Sequence, residues 1–199
     1  MKNRNERIVR LAIIGLFSAL ILLMSFTPLG YLRTAVAEIT FILIPVALGA
    51  VLLGPTGGAI LGGVFGLTSF IQCFGFSAFG AALLAFNPVF AAVVCIVPRI
   101  LVGWLAGVIF KAINKDEKRE LFACGAACLA APLLNTILFV GFLLLFYWNS
   151  DYIQGLAGGR NVLAFVPFFV GINGLLEAAA CFIIGTAAGK ALLAVQKKI

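Results

Sequence analysis

The sequence contains no histidine. That absence removes histidine metal sites and histidine proton relays. Charge is scarce: 11% of residues are Asp, Glu, Lys or Arg, and only seven are acidic. Soluble domains carry about a quarter charged residues. No polar segment is long enough to form a soluble domain of its own. Also lacking are a phosphate-cradling P-loop, a nucleophile–base pair at recognisable spacing and a cluster of metal ligands. Nothing therefore points to an enzyme, and no cofactor or metal is expected. In place of these, 63% of the chain is hydrophobic, with mean hydropathy +1.18. A chain of 199 residues with this composition reads as an all-α integral membrane protein. Its length allows about six spans of roughly 20 residues each. The expectation is one domain, residues 1–199, folded as a compact six-helix transmembrane bundle in contact with membrane lipid.

The organising stretch is Glu38 to Thr68. It holds two apolar runs, Ile39–Leu53 and Ala59–Thr68 with its continuation to Phe70. The break between them, Gly54-Pro55-Thr56-Gly57-Gly58, combines a residue without an N–H with permissive glycines, and so reads as a tight turn. No charge lies between Glu38 and Arg99, so the pair reads as two helices turning back inside or at the edge of a bilayer. Gly57, Gly58, Gly62, Gly63 and Gly66 give the second run a surface that another helix can approach closely in lipid.

The chain opens with a basic segment, Met1–Arg10. An apolar helix follows over Leu11–Phe26, with Ile8 and Val9 at its start. A signal peptide is the rival reading, but Ser25-Phe26-Thr27-Pro28 is a poor cleavage site. Ala12, Gly15 and Ala19 share one face of this helix. Thr27–Ala37 reads as a first loop and Gln72–Pro88 as an aromatic irregular region that packs as a cap. Helix four is expected over Val89–Ile113, a charged loop over Asn114–Glu120, and helix five over Leu121–Tyr147. Trp148–Arg160 reads as a loop. Helix six is expected over Val162–Val195 with a break near Pro167. The five cysteines, Cys73, Cys95, Cys124, Cys128 and Cys181, all lie in or next to apolar runs and read as small apolar residues.

Orientation follows from Lys and Arg. Four lie in the amino-terminal segment (Lys2, Arg4, Arg7, Arg10), four around the helix four–five loop (Lys111, Lys115, Lys118, Arg119), and three towards the carboxyl end (Lys190, Lys197, Lys198). With six helices these regions share one side, so the positive-inside rule places both termini in the cytoplasm. The positive balance is a topology signal, and no nucleic-acid partner is expected. Arg33 and Arg160 fall outside, and Arg99 within a span.

The polar groups of the outer half are therefore the candidates for function. Arg99 lies well inside helix four, where a charge is costly and faces a partner or a cavity. Asn135 lies at comparable depth in helix five. Asn173 and Glu177, four apart, share a face of helix six. An internal Arg99–Glu177 salt bridge with interhelical amide bonds is one reading. An anion pocket around Arg99 is the other, and Glu177 could hold Arg99 while a ligand carboxylate takes its other donors. Too few polar groups are present to line a continuous channel.

The segments Ile44-Pro45-Val46, Gly49-Ala50-Val51-Leu52-Leu53-Gly54-Pro55 and Gly57 to Ser69, with Val97-Pro98-Arg99-Ile100-Leu101, resemble the substrate-binding S components of energy-coupling factor vitamin transporters. The resemblance covers essentially the whole chain and is strongest to the pantothenate type. It implies a high-affinity vitamin site in the outer half, closed by the first, third and fifth loops, in a bacterial cell membrane. It also implies a membrane coupling protein and two cytoplasmic ATPases as partners. In the family a small-xxx-small motif on helix one docks on the coupling protein. Here Gly15-Leu16-Phe17-Ser18-Ala19 matches, with glycine at the first position, and Ala12 lies on the same face. Pantothenate suits the pocket, with its carboxylate on Arg99, and Arg33 is a further substrate-binding candidate. Its amide and hydroxyls would meet Asn135, Asn87 and Asn173, and its dimethyl group an aromatic cap of Phe74, Phe76, Phe79 and Phe86. Folate, a pyridoxine-like ligand or a thiamine precursor are the alternatives. A self-sufficient small transporter and a non-transport membrane scaffold are the readings from other classes.

Overall fold

The computed structural model describes residues 2–28, 30–33, 38–116, 119–171 and 173–196, with side chains described for all of these except 2–6, 31–39, 173 and 196. Among these residues the elements run α1 (Lys2–Phe26), β1 (Tyr31–Arg33), β2 (Glu38–Thr40), α2 (Leu43–Gln72), α3 (Ala78–Phe86), α4 (Pro88–Ile113), α5 (Glu120–Tyr147), α6 (Asp151–Ala157), α7 (Val162–Val170) and α8 (Asn173–Gln196). Five of them (Arg7–Phe26 of α1, α2, α4, α5 and Gly174–Val195 of α8) are long and apolar enough to cross a membrane. Counting α6 and α7, bent by 80°, as one span gives a sixth.

Helix α2 changes direction within its length. Gly54 has φ 76° and ψ −172°, a backbone conformation that glycine adopts without steric cost. Pro55 follows with no N–H to continue the ladder. Leu61 packs on Gly49, and Ala50 on Gly58. In a straight helix twelve residues would separate the first pair by about 18 Å. α2 therefore doubles back at Gly54, as the apolar runs on either side of the glycines predict.

The second arm of α2 lies against α4 with little between the backbones. A Cβ on Gly66 would come within 2.8 Å of Ile96 Cα, and one on Gly58 or Gly62 would run into the carbonyl of Gly103 or Arg99. Glycine at every fourth position makes a strip on which α4 is seated. Arg99 is thereby fixed at its backbone.

Several expectations need correction. The first apolar run does not begin as a helix at Ile39: Glu38–Thr40 is β2, paired antiparallel with β1 through Tyr31↔Thr40 and Arg33↔Glu38. The alternation of polar and apolar residues in Glu38-Ile39-Thr40 suits an extended strand. The irregular region Gln72–Pro88 contains α3, started by the Ser77 side chain accepting from Gly80 N. The loop Trp148–Arg160 contains α6, started by Ser150. Helix six breaks at Gly171, φ 52°, and Pro167 sits inside α7. A positive φ turns the chain, whereas a proline removes only one ladder bond from a helix that is otherwise packed.

One end of the bundle gathers charge. The Arg10 guanidinium donates to Leu53 O at 3.1 Å, Gly107 packs on Pro55, and a recess of about 220 Å³ lies between Glu120, Leu121, Lys190, Leu193 and Ala194. The other end carries the β-hairpin, α3, α6 and α7. Two buried clusters follow this division. The first is built on the folded α2 with Ala106, Ala123, Ala127, Cys124 and Cys128. The second, around Tyr147, Leu143, Phe165 and Ile153, is ringed by partly buried Phe79, Phe90, Phe139 and Phe169.

Candidate functional site

Arg99 lies between the two clusters. It is eleven residues beyond Pro88, the first residue of α4, or about 16 Å along the axis at 1.5 Å per residue. Its guanidinium carbon sits 4.5 Å from the Phe139 ring centre and 5.6 Å from that of Phe65. Phe65 belongs to the first cluster and Phe139 packs on the second. Each such face-on contact is worth about 0.5–2 kcal/mol, more where water is excluded.

The residue before Arg99 explains its pose. Pro98 is inside α4 and has no N–H for the carbonyl four residues back, Val94 O. A carbonyl left open in an apolar span is costly. Arg99 Nη1 donates to that carbonyl at 2.8 Å. Proline and arginine thus work as a pair: one opens an acceptor and the other closes it, which turns the guanidinium back along its own helix toward the hairpin end.

An aromatic chain leads outward from Arg99. Phe139 lies 6.4 Å from Phe79, which lies 6.0 Å from Tyr152 and 5.8 Å from Phe169. α3, α5, α6 and α7 each contribute a ring. Of the aromatic cap expected from the sequence, Phe79 takes this inward position, while Phe74, Phe76 and Phe86 are more than half exposed. Phe76 stacks edge-on against Phe26 instead. One turn before Phe139 on the same face of α5 stands Asn135, whose Oδ1 is buried without a hydrogen-bond partner among the described residues. A buried acceptor of that kind costs about 1–3 kcal/mol unless something donates to it.

The remaining candidates are placed as follows. Glu177 is 9% exposed and accepts from Thr40 N at 2.7 Å, so it fastens β2 to α8; it lies within electrostatic reach of Arg99. Asn87 caps α4, its Oδ1 accepting from Val89 N at 2.9 Å and Phe90 N at 3.2 Å. The Tyr147 hydroxyl lies 3.0 Å from the carbonyls of both Leu83 and Asn87 and holds α3 to α5. Arg33 is in β1 and Asn173 begins α8, but their side chains lie outside the described residues. Arg160 lies over the Phe168 ring at 4.1 Å. On α1, Ala12, Gly15 and Ala19 are exposed, and a Cβ on Gly15 would meet open space.

The recess at the charged end is lined by Glu120 and Lys190 with Leu121, Leu193 and Ala194, and none of the residues that the sequence singles out for ligand binding lies in it. The Arg99 end brings together a cation lying over two ring faces, a buried acceptor without a partner among the described residues, and an aromatic wall.

The sequence pattern of the family described as ECF transporter, substrate-specific component, matches residues 9–187. The chain belongs to that family. Pantothenate transporter PanT of Leuconostoc mesenteroides subsp. mesenteroides is 29% identical over 204 residues, covering 98% of this chain and 97% of its own length. Pantothenic acid transporter PanT of Lactococcus lactis subsp. cremoris is 30% identical over 138 residues, covering 62% of this chain and 68% of its own. As an ECF substrate-specific component the chain is a vitamin-binding, multi-pass membrane subunit of a bacterial transporter.

Sequence reasoning singles out Arg99 and Asn135 as candidates in this S component, but not Phe65 or Phe139, which the structure places beside Arg99. The spacing of Asn135 and Phe139 could have singled out the second. No sequence signal relates Phe65 to Arg99, thirty-four residues away on another helix.

Proposed function

We propose that this substrate-specific component takes up pantothenate, bound at the Arg99 end of the bundle. The observation that carries the reading is Asn135 Oδ1, buried without a donor among the described residues, one turn from the ring that backs Arg99. Pantothenate offers a carboxylate for the guanidinium and hydroxyl and amide donors for Asn135. Its dimethyl group is matched by the Phe79–Phe139 wall. The names of the two curated relatives support the same vitamin. Asn173, Arg33 and the amide nitrogen of Asn87 are the further polar contacts, and Glu177 holds the β-hairpin beside them.

Six membrane segments are assigned by counting the two arms of the folded α2 separately, with α1, α4, α5 and α8, and by taking the bent α6–α7 pair as a cap and not as a span. Both termini then face the cytoplasm, because Arg10, Lys111 and Lys190 lie at the charged end and basic residues are retained on that side. The binding site consequently opens outward. The chain has no ATP-hydrolysing motif of its own in this assignment. It draws on an energy-coupling membrane protein and two cytoplasmic ATPases. The exposed face of Ala12, Gly15 and Ala19 is the contact with the coupling protein, since small residues admit a second helix closely.

Titration of the purified protein with pantothenate, folate, pyridoxine and thiamine tests the ligand, and uptake with and without the coupling ATPases tests the mechanism. Saturable pantothenate binding and ATPase-dependent uptake are expected. A folded protein that ignores pantothenate, or uptake that persists without the ATPases, would refute the assignment.

A further inference from the structure

Two thiols from different helices meet near the Arg99 end. Cys73 follows the last turn of α2 and Cys95 lies two turns into α4. Their sulfurs are 3.7 Å apart, both side chains are buried, at 3% and 5% exposure, and both are unoxidised. The glycine strip brings them together, since Gly66 packs directly on Cys95 O and Ile96. Cys124 and Cys128 make a useful contrast. They are four apart on one helix, where Cβ atoms stand about 5–6 Å from each other, beyond the roughly 3.8 Å that a disulfide takes. A pair across two helices has no such restriction. The Cys73 and Cys95 sulfurs would need to close by about 1.7 Å to reach bonding distance.

We propose that Cys73 and Cys95 form a dithiol modification site, which hydrogen peroxide oxidises to a disulfide and trivalent arsenicals bridge. In the oxidation, one thiol loses its proton and its sulfur attacks the O–O bond. An S–O bond forms, and the departing hydroxide takes the proton as water. The second sulfur, also deprotonated, attacks the sulfenic acid. The S–S bond forms, the S–O bond breaks, and the second hydroxide leaves as water with the second proton. Two thiols give up two electrons and the peroxide is reduced to two waters. With phenylarsine oxide, two As–S bonds form and the oxygen departs as water with both thiol protons.

The site is placed to affect recognition. Cys73 Sγ packs against α3 at Gly80, the neighbour of Phe79, and Cys95 is one turn before Arg99. Joining the sulfurs would draw the start of the α3 segment toward α4 and shift the ring wall relative to the guanidinium. This consequence rests on the ligand site assigned above; the thiol chemistry does not.

The test uses the full-length protein in lipid nanodiscs, treated with peroxide, alkylated and digested. A Cys73–Cys95 linked peptide that dithiothreitol releases is expected, and one phenylarsine oxide should bind per chain. Both signals should vanish in Cys73→Ser and in Cys95→Ser and persist in Cys124→Ser. Alkylation of both thiols without linkage after peroxide, or linkage through other cysteines in their place, would overturn the proposal. This readout needs no ligand, so it stands apart from the pantothenate assignment. Titration of oxidised protein with pantothenate then reads the consequence. Severalfold weaker binding, restored by reductant and absent in Cys73→Ser, is expected, and a linked protein that binds as before would remove the coupling to the pocket.

Discussion

The two clusters of this bundle are made of different material. Around the folded α2 the contacts are between backbones: Gly58, Gly62 and Gly66 sit on Gly103, Arg99 and Ile96, and Ala and Cys fill the facing helix α5. Around Tyr147 the contacts are between rings, from Phe90 on Phe146 at 4.9 Å to Phe165 on Phe169 at 5.3 Å. Lipid provides no hydrophobic force between helices, so the first region gains its cohesion from close approach. Rings are large and approach one another at 4.5–7 Å, so the second region is held by ring faces and edges and not by backbone contact. Arg99 belongs to both: its backbone is seated on the glycine strip and its side chain lies among the rings.

The largest effect should come from filling the strip. Gly62→Leu would drive a side chain into the Arg99 carbonyl. Overpacking costs typically about 1–3 kcal/mol, and more where backbone cannot move aside. Thermal unfolding should drop steeply and pantothenate binding should be lost with it. A variant that melts like the parent would show that the seam tolerates separation and that the two clusters do not differ in how they cohere.

Arg99→Ala should come next, with a loss of about 2–5 kcal/mol in ligand binding, or roughly 30- to several-thousand-fold in affinity. Arg99→Lys should also bind weakly, since a point charge cannot reproduce the planar fork or its fit between two rings. The competing idea, a purely internal Arg99–Glu177 pair, makes a separate forecast. There, Arg99→Ala would destabilise the bundle, and adding Glu177→Ala would restore stability without altering ligand choice. Calorimetry and pantothenate titration on the two single variants and the double variant separate the two.

Pro98→Ala should act more mildly. It returns a backbone donor to Val94 O, which competes with Arg99 Nη1 for that carbonyl and loosens the pose of the guanidinium. The helix should be as stable as before while affinity falls severalfold. Equal loss of stability and affinity would mean that Pro98 shapes the helix and not the arginine.

Glu177→Ala leaves the Thr40 amide without its acceptor, a cost of about 1–3 kcal/mol, whereas Glu177→Gln keeps an oxygen in place. Hydrogen exchange at Thr40 should quicken in the first variant and stay slow in the second. Fast exchange in both would mean that the carboxylate charge, not the acceptor, fastens the hairpin.

Gly15→Leu should leave ligand binding unchanged and stop uptake. The Cβ of that residue meets nothing within the subunit, so an effect on binding would place this face in the bundle and not at the coupling protein.

The residues themselves determined the membrane class, the fold of α2 on itself at Gly54 and the position of the half-buried cation within a span, because these depend on composition, on local backbone freedom and on the price of a charge in lipid. Local chemistry also marked the Gly58, Gly62, Gly66 strip as a packing face. Only the tertiary structure decided what meets that face, and which rings hold Arg99. Phe65 and Phe139 are ordinary members of apolar runs until α2, α4 and α5 are brought together. The Glu177 contact with Thr40 joins residues 137 apart, and Cys73 finds Cys95 across two helices. In a chain this uniformly apolar, periodicity carries little directional information, since nearly every face is hydrophobic. Partner choice is then settled by packing in three dimensions, where glycine allows contact and bulk refuses it.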